Sequence, residues 1–191
     1  MNKTDQWKKE LDNFSKVADN LGIGIDSSIL DLVVGLNIFG ITTIVSCEGH
    51  VDDDEVRYPW VGFESELDIE QEKEFKKIHE LINSNGEKLS DEEKNKLRLK
   101  AQQIYWETRK PNLEICRKLL NLLSEFYQNR TSPYDVHLHI LEFDFVASRM
   151  ENIGSDVLEI LPKEEQVTKL KEYQKEMVEF GEFLKRKHLD S

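Results

Sequence analysis

The chain has 191 residues, enough for one domain with a sizeable core, and its formal net charge is −12. This charge repels phosphate backbones and anionic surfaces, so it disfavours nucleic acid as a partner. No apolar run approaches the roughly 18 residues that cross a bilayer, and nothing at the N-terminus resembles a signal peptide. Two cysteines, Cys47 and Cys116, cannot form a disulfide framework. We therefore expect no membrane association and a cytoplasmic location with reduced thiols.

The first part of the chain is predicted to form two helices. Apolar residues from Trp7 to Leu21 recur every three or four positions, which is typical of one buried helix face. Asp26 and Ser27 offer an N-cap for a second, apolar helix that ends near Gly40.

A short buried strand is predicted at residues 41–46, and a second strand begins at residues 59–63. The tight turn at the end of the first strand is Cys47-Glu48-Gly49-His50, and the acidic run Asp52-Asp53-Asp54-Glu55 follows it. A thiol, a carboxylate and an imidazole lie within four residues here, the densest reactive chemistry in the chain. We predict that any functional site lies on this turn.

Residues 67–130 are strongly charged and are predicted to be a helical insertion within a single domain spanning residues 1–191. The first of its helices is expected to start near Asp68 and to be broken by residues 83–86. Ser90 to Glu93 fits a capping box, and Pro111 is predicted to interrupt the helix that follows.

The last third of the chain is predicted to form one or two strands and a long helix. His137 and His139 alternate with apolar residues, which predicts a half-buried strand with both rings on one face. Phe143 and Phe145 extend this strand, or a further strand runs through residues 146–153 to a loop at Gly154. The predicted class is therefore α+β, with three or four short, mostly antiparallel strands and five or six helices.

The final helix follows Pro162 and carries two exposed-looking aromatic residues, Phe180 and Phe183. Its apolar stripe has two interpretations, an ordinary core face or a homodimer through this helix.

Two spacings are compatible with zinc. Cys47 and His50 stand in C-x-x-H spacing, and His137 and His139 are two residues apart on a predicted strand. If the two segments are neighbours, these four residues could form a tetrahedral zinc site. The alternative is a buried structural cysteine with strand histidines at the surface.

Two further interpretations of the turn need no metal. Cys47 could be a nucleophile with His50 or a strand histidine as its base, but Glu48 and the acidic run favour the neutral thiol. In a ligand site, Gly49 would allow close backbone approach, and Glu48 and His50 would supply hydrogen bonds. The stacking face for such a ligand would be Trp60 or Tyr58, and the counter-charge for an anionic group would be Arg57.

The pattern G-I-x-T-x-x-S-C-E-G-H, from Gly40 to His50, followed by Pro59-Trp60-Val61, resembles that of a group of uncharacterised bacterial and phage-like proteins. No established activity accompanies this group, so the resemblance implies only that the turn is the part to test.

The Ser46-Cys47-x-Gly49 portion also resembles the strand-end Ser-Cys-Ser-Gly turn of the wybutosine-synthesis tRNA methyltransferase family. Here Glu48 replaces the second serine and His50 follows the glycine. That family binds S-adenosylmethionine and tRNA, which implies an S-adenosylmethionine-dependent enzyme as one alternative.

Three classes of function therefore stay open. The leading one is a small-molecule or metal site on the Cys47–His50 turn. The second is an acidic helical interaction or regulatory module in which the turn is only structural. The third is an S-adenosylmethionine-dependent or hydrolytic enzyme.

Overall fold

The structure is a computed structural model that describes residues 2–18, 22–52, 54–66, 69–85, 89–142, 144 and 146–190. Within these ranges the helices are α1 (Lys3–Phe14), α2 (Leu30–Ile38), α3 (Ile69–Asn85), α4 (Asp91–Tyr127), α5 (Ser155–Leu158) and α6 (Lys163–Asp190). The strands are β1 (Thr43–Cys47), β2 (His50–Val51), β3 (Val56–Arg57), β4 (Trp60–Glu64), β5 (Leu138–Glu142) and β6 (Ala147–Asn152). The predicted α+β class with a long C-terminal helix is confirmed.

Four strands form one antiparallel sheet in the order β1-β4-β6-β5, so β1 and β5 are its two edges. The strands predicted at residues 41–46 and 59–63 are β1 and β4, and they pair directly. The first was predicted to be buried, but β1 is an edge strand whose Ile44 and Val45 are 43% and 46% exposed. The short strands β2 and β3 pair in a separate ribbon that the sequence did not predict. The Cys47–His50 turn therefore links the end of β1 to this ribbon.

The main core lies between one face of the sheet and the helices α2, α4 and α6. Its fully buried side chains include Leu32, Leu36, Val61, Phe63, Leu119, Met150, Met177, Phe180 and Leu184. A Cβ on Gly35 would lie 2.8 Å from Leu184 Cβ, and one on Gly181 would lie 2.9 Å from Leu32 N. These two glycines therefore allow α2 and α6 to approach closely.

Helix α4 runs unbroken through Pro111, which corrects the predicted interruption. An interior proline costs about 3 kcal/mol, and packing at both ends of the helix offsets this cost. The N-terminal half packs on α3 around Ile78, Ala101 and Ile104, whereas Leu119 and its neighbours in the C-terminal half belong to the main core.

The capping box predicted at the start of α4 is confirmed. Glu93 N donates to Ser90 Oγ at 3.3 Å, and Ser90 N donates to Glu93 Oε2 at 2.8 Å. Leu67, Asp68 and Gly86, which bore on the predicted bounds of the preceding helix, lie outside the described residues.

Other boundaries differ from the predictions. Helix α1 ends at Phe14, and Leu21 lies outside the described residues, as do Phe143 and Phe145. The predicted loop after Gly154 is the short helix α5.

Helix α6 uses its apolar stripe inside the protein. Phe180 is fully buried and Phe183 packs against the main core, so neither is exposed as the sequence suggested. A homodimer through α6 stays a prediction, and it would have to use another face of this helix. Within the described residues, no helix combines the length and the apolar character that a membrane crossing requires.

Candidate functional site

The Cys47–His50 turn is fixed by hydrogen bonds to distant segments. Gln174 Nε2 on α6 donates to the carbonyl oxygens of Glu48 and Gly49 at 3.1 and 3.2 Å. Glu48 N donates to Asp26 Oδ2 at 3.0 Å, and Ser28 Oγ donates to the Glu48 carboxylate. The prediction that Asp26 caps α2 is therefore wrong, because its carboxylate binds the turn instead. Helix α2 begins at Leu30 with no side-chain cap.

Cys47 lies in an environment that keeps its thiol neutral. Burial raises the pKa of Cys47, and the negative charge of Asp26 raises it further, against a hydrogen bond that Gly49 N donates to Sγ at 3.3 Å. A nucleophilic cysteine needs the opposite shift, toward a thiolate at neutral pH. The geometry therefore gives no support to the nucleophile interpretation.

His50 and Arg57 face each other across the β2–β3 ribbon. His50 Nε2 lies 3.6 Å from Asp52 Oδ2 and 3.8 Å from Glu55 Oε2, while Arg57 Nη2 lies 2.7 Å from Glu55 Oε1. Arg57 is thus already paired with a carboxylate and is a poor counter-charge for an anionic ligand. Asp53, in the middle of the predicted acidic run, lies outside the described residues.

The four predicted zinc ligands do not come together. His137 precedes β5, stacks on Tyr127 with ring centroids 4.3 Å apart, and places Nε2 3.2 Å from Ser132 O. His139 lies on β5 and Cys47 on β1, with β4 and β6 between them. At the usual strand spacing, the two backbones are about 14 Å apart. No group of three or more His, Cys, Asp or Glu side chains in the described ranges is arranged to hold a metal ion.

The strand pairing instead aligns one row of residues across the sheet. Cys47 pairs with Trp60, Trp60 pairs with Glu151, and Glu151 pairs with His139. Residues directly opposite each other in an antiparallel sheet point to the same side. We call this set the sheet row: Cys47, Trp60, Glu151 and His139.

The sheet row lies on the face opposite the main core, which we call the open face. Strand alternation places Val61 and Met150 in the core, and hence their neighbours Trp60 and Glu151 on the other side. Val45 and Leu141 on this face are 46% and 36% exposed. These exposed side chains give a ligand access to part of this face, although Glu151 itself is buried.

Trp60 lies across the open face because Gly62 has no side chain. A Cβ at Gly62 would lie 3.2 Å from Trp60 Cζ3 and 2.9 Å from Val45 Cγ1. The indole ring is half-buried and forms a flat apolar surface next to the charged part of the row.

Glu151 is the most unusual group of the row, since only 2% of its side chain is exposed. Its Oε2 lies 2.5 Å from Arg149 Nε, and its Oε1 lies 3.8 Å from His139 Nε2. Arg149 also donates a hydrogen bond from Nη2 to Tyr58 Oη at 3.0 Å. Arg149, His139, Tyr58 and the nearby Asp156 therefore form a polar group around one buried carboxylate.

Burial moves the pKa values of these groups in opposite directions. It raises the pKa of Glu151, which the Arg149 charge opposes, and it lowers the pKa of His139, which the Asp156 charge opposes. Burial also raises the pKa of Tyr58. Perturbed titratable groups gathered in one place are a common property of functional sites.

Sequence reasoning named Trp60 and His139 but missed Glu151 and Arg149. A signal was present, because Arg149 and Glu151 are two apart in the segment predicted as a strand and so share a face. Their position beside Trp60 depends on strand pairing across about 90 residues, which no local pattern shows.

Comparisons of the chain with known protein families, with curated proteins and with solved structures gave no match.

Proposed function

We propose that this protein binds a small molecule on the open face of its sheet, along the sheet row. Trp60 supplies the flat contact surface, and Glu151, with Arg149 and His139, supplies the polar contacts. The turn that carries both sequence resemblances forms the Cys47 end of the row, so the proposed site begins at the predicted turn but lies mainly on the sheet.

Glu151 is the observation that carries this proposal. An ion pair with one partner this deeply buried costs several kcal/mol of desolvation, and well-packed apolar residues often serve stability as well or better. A carboxylate kept at this position, beside an accessible indole ring, is therefore better explained by a ligand than by stability.

The test begins with a thermal-shift screen of small metabolites against the wild-type protein, because a ligand of the folded state raises the melting temperature. Each hit is then titrated into the double variant Arg149→Met/Glu151→Met. Removing both partners leaves no unpaired buried charge, so this variant is expected to fold with stability similar to the wild type.

The matched control is Arg109→Met/Glu142→Met, which removes an Arg–Glu ion pair between α4 and β5, away from the sheet row. The proposal predicts that hits bind the control and do not bind the Arg149/Glu151 variant. Equal binding to both variants would show that the sheet row is not the site.

A further inference from the structure

The cations of the open face are already neutralised. Arg149 on this face is paired with Glu151, and Arg57 in the adjoining β2–β3 ribbon is paired with Glu55. Burial lowers the pKa of His139, which disfavours the charged form of its ring.

Among the described residues, two carboxylates on or beside this face lack a cationic partner. Glu64 alternates with Gly62 and Trp60 and so points to the open face. Asp156 on α5 is exposed, and its charge acts on Glu151, His139 and Tyr58. Neither forms an ion pair with another residue of the described ranges. The open face therefore carries excess negative charge, in a protein whose net charge is −12.

Glu151 also lacks donors. Its Oε2 is enclosed and accepts no hydrogen bond of proper geometry from the described residues, although Arg149 Nε is 2.5 Å away. His139 Nε2 is likewise enclosed without a hydrogen bond within those residues. Buried carboxylates usually accept two or more hydrogen bonds, so Glu151 is short of donors within the described residues.

From these observations we infer that the ligand is a small organic cation with an apolar or aromatic body, which stacks on Trp60 and directs its ammonium or amidinium group toward Glu151 and Asp156. Tryptophan is the side chain that attracts cations most strongly through its ring face. This inference rests on the proposed function and specifies its ligand class.

The test compares three probes of nearly the same shape by isothermal titration calorimetry: 2-phenylethylammonium, 2-phenylethanol and 3-phenylpropionate. We expect the ammonium compound to bind and the neutral and anionic compounds to bind at least about five-fold more weakly. Added salt should weaken the binding of the cation.

Asp156→Asn supplies a second readout, and Glu159→Gln is its matched control. Both remove one exposed negative charge at α5, but only the Asp156 charge acts on the groups of the site. We expect Asp156→Asn to weaken binding of the ammonium compound about two- to five-fold and Glu159→Gln to leave it unchanged.

The outcomes separate this inference from the proposed function. Binding of the neutral or anionic probe as tightly as the cation, or no binding of the cation at millimolar concentration, overturns the inference about charge. Ligands of another class that are lost in Arg149→Met/Glu151→Met would leave the proposed function intact. Ligands that still bind this double variant would contradict both the inference about charge and the proposed function.

Discussion

The substitution Gly49→Ala tests whether the turn is held by its neighbours. Gly49 has a φ of 78°, and a Cβ there would lie 2.8 Å from Arg57 O, Pro59 N and Leu170 Cδ1. A left-handed backbone costs a non-glycine residue about 1 to 2 kcal/mol, and overpacking costs about 1 to 3 kcal/mol. After deducting the smaller entropy of the unfolded alanine chain, we expect the free energy of unfolding to fall by about 2 to 4 kcal/mol.

Gly22→Ala is the matched control, because Gly22 also has a φ of 78° but a Cβ added there would meet no atom of the described residues beyond its chain neighbours within 4 Å. Only the backbone cost applies there, so we expect a loss of about 1 kcal/mol. Urea denaturation measures both variants, and an unchanged slope shows that the comparison is valid. If Gly49→Ala costs no more than Gly22→Ala, the turn is not packed against β3 and α6 as described.

Three further predictions concern the thiol, the buried carboxylate and the capping box. In a Cys116→Ala background, Cys47 should react with iodoacetamide at neutral pH more slowly than N-acetylcysteine, because burial raises its pKa; a faster reaction contradicts this. The pKa of Glu151 is raised in the folded state, so the folded protein binds the carboxyl proton more tightly than the unfolded chain does. The free energy of unfolding of the wild type should therefore fall relative to that of Glu151→Gln as pH rises from the unfolded-state pKa through the folded-state pKa. Urea denaturation across that range should show this trend, and a constant difference would be the contrary result. Ser90→Ala should lower the free energy of unfolding by about 1 kcal/mol through loss of the cap, while Ser84→Ala on the exposed surface of α3 should cost nothing; equal effects would argue against the cap.

Local patterns were sufficient where the structure depends on neighbouring residues. The apolar run at residues 41–46 predicted β1, and the Ser90–Glu93 spacing predicted the cap that α4 has. Pro111 shows the limit of this reasoning, because packing of α4 on α3 and on the main core outweighs the local preference of proline.

The site depends on contacts between distant residues, and the predictions there were less complete. Asp26 suits a helix N-cap as well as a turn, and its actual partner, Glu48 N, is 22 residues away. The zinc hypothesis assumed that β1 and β5 are neighbours, whereas two strands lie between them. The same strand order places Trp60 and Glu151 side by side between Cys47 and His139, and these four residues form the sheet row.

The emission of Trp60 tests the central claim most directly. The chain has three tryptophans, so Trp7→Phe/Trp106→Phe leaves Trp60 as the only one. A ligand bound along the sheet row must change the emission of Trp60, with a midpoint equal to the dissociation constant found by calorimetry. Binding by calorimetry with unchanged Trp60 emission would place the ligand elsewhere and contradict the proposed site.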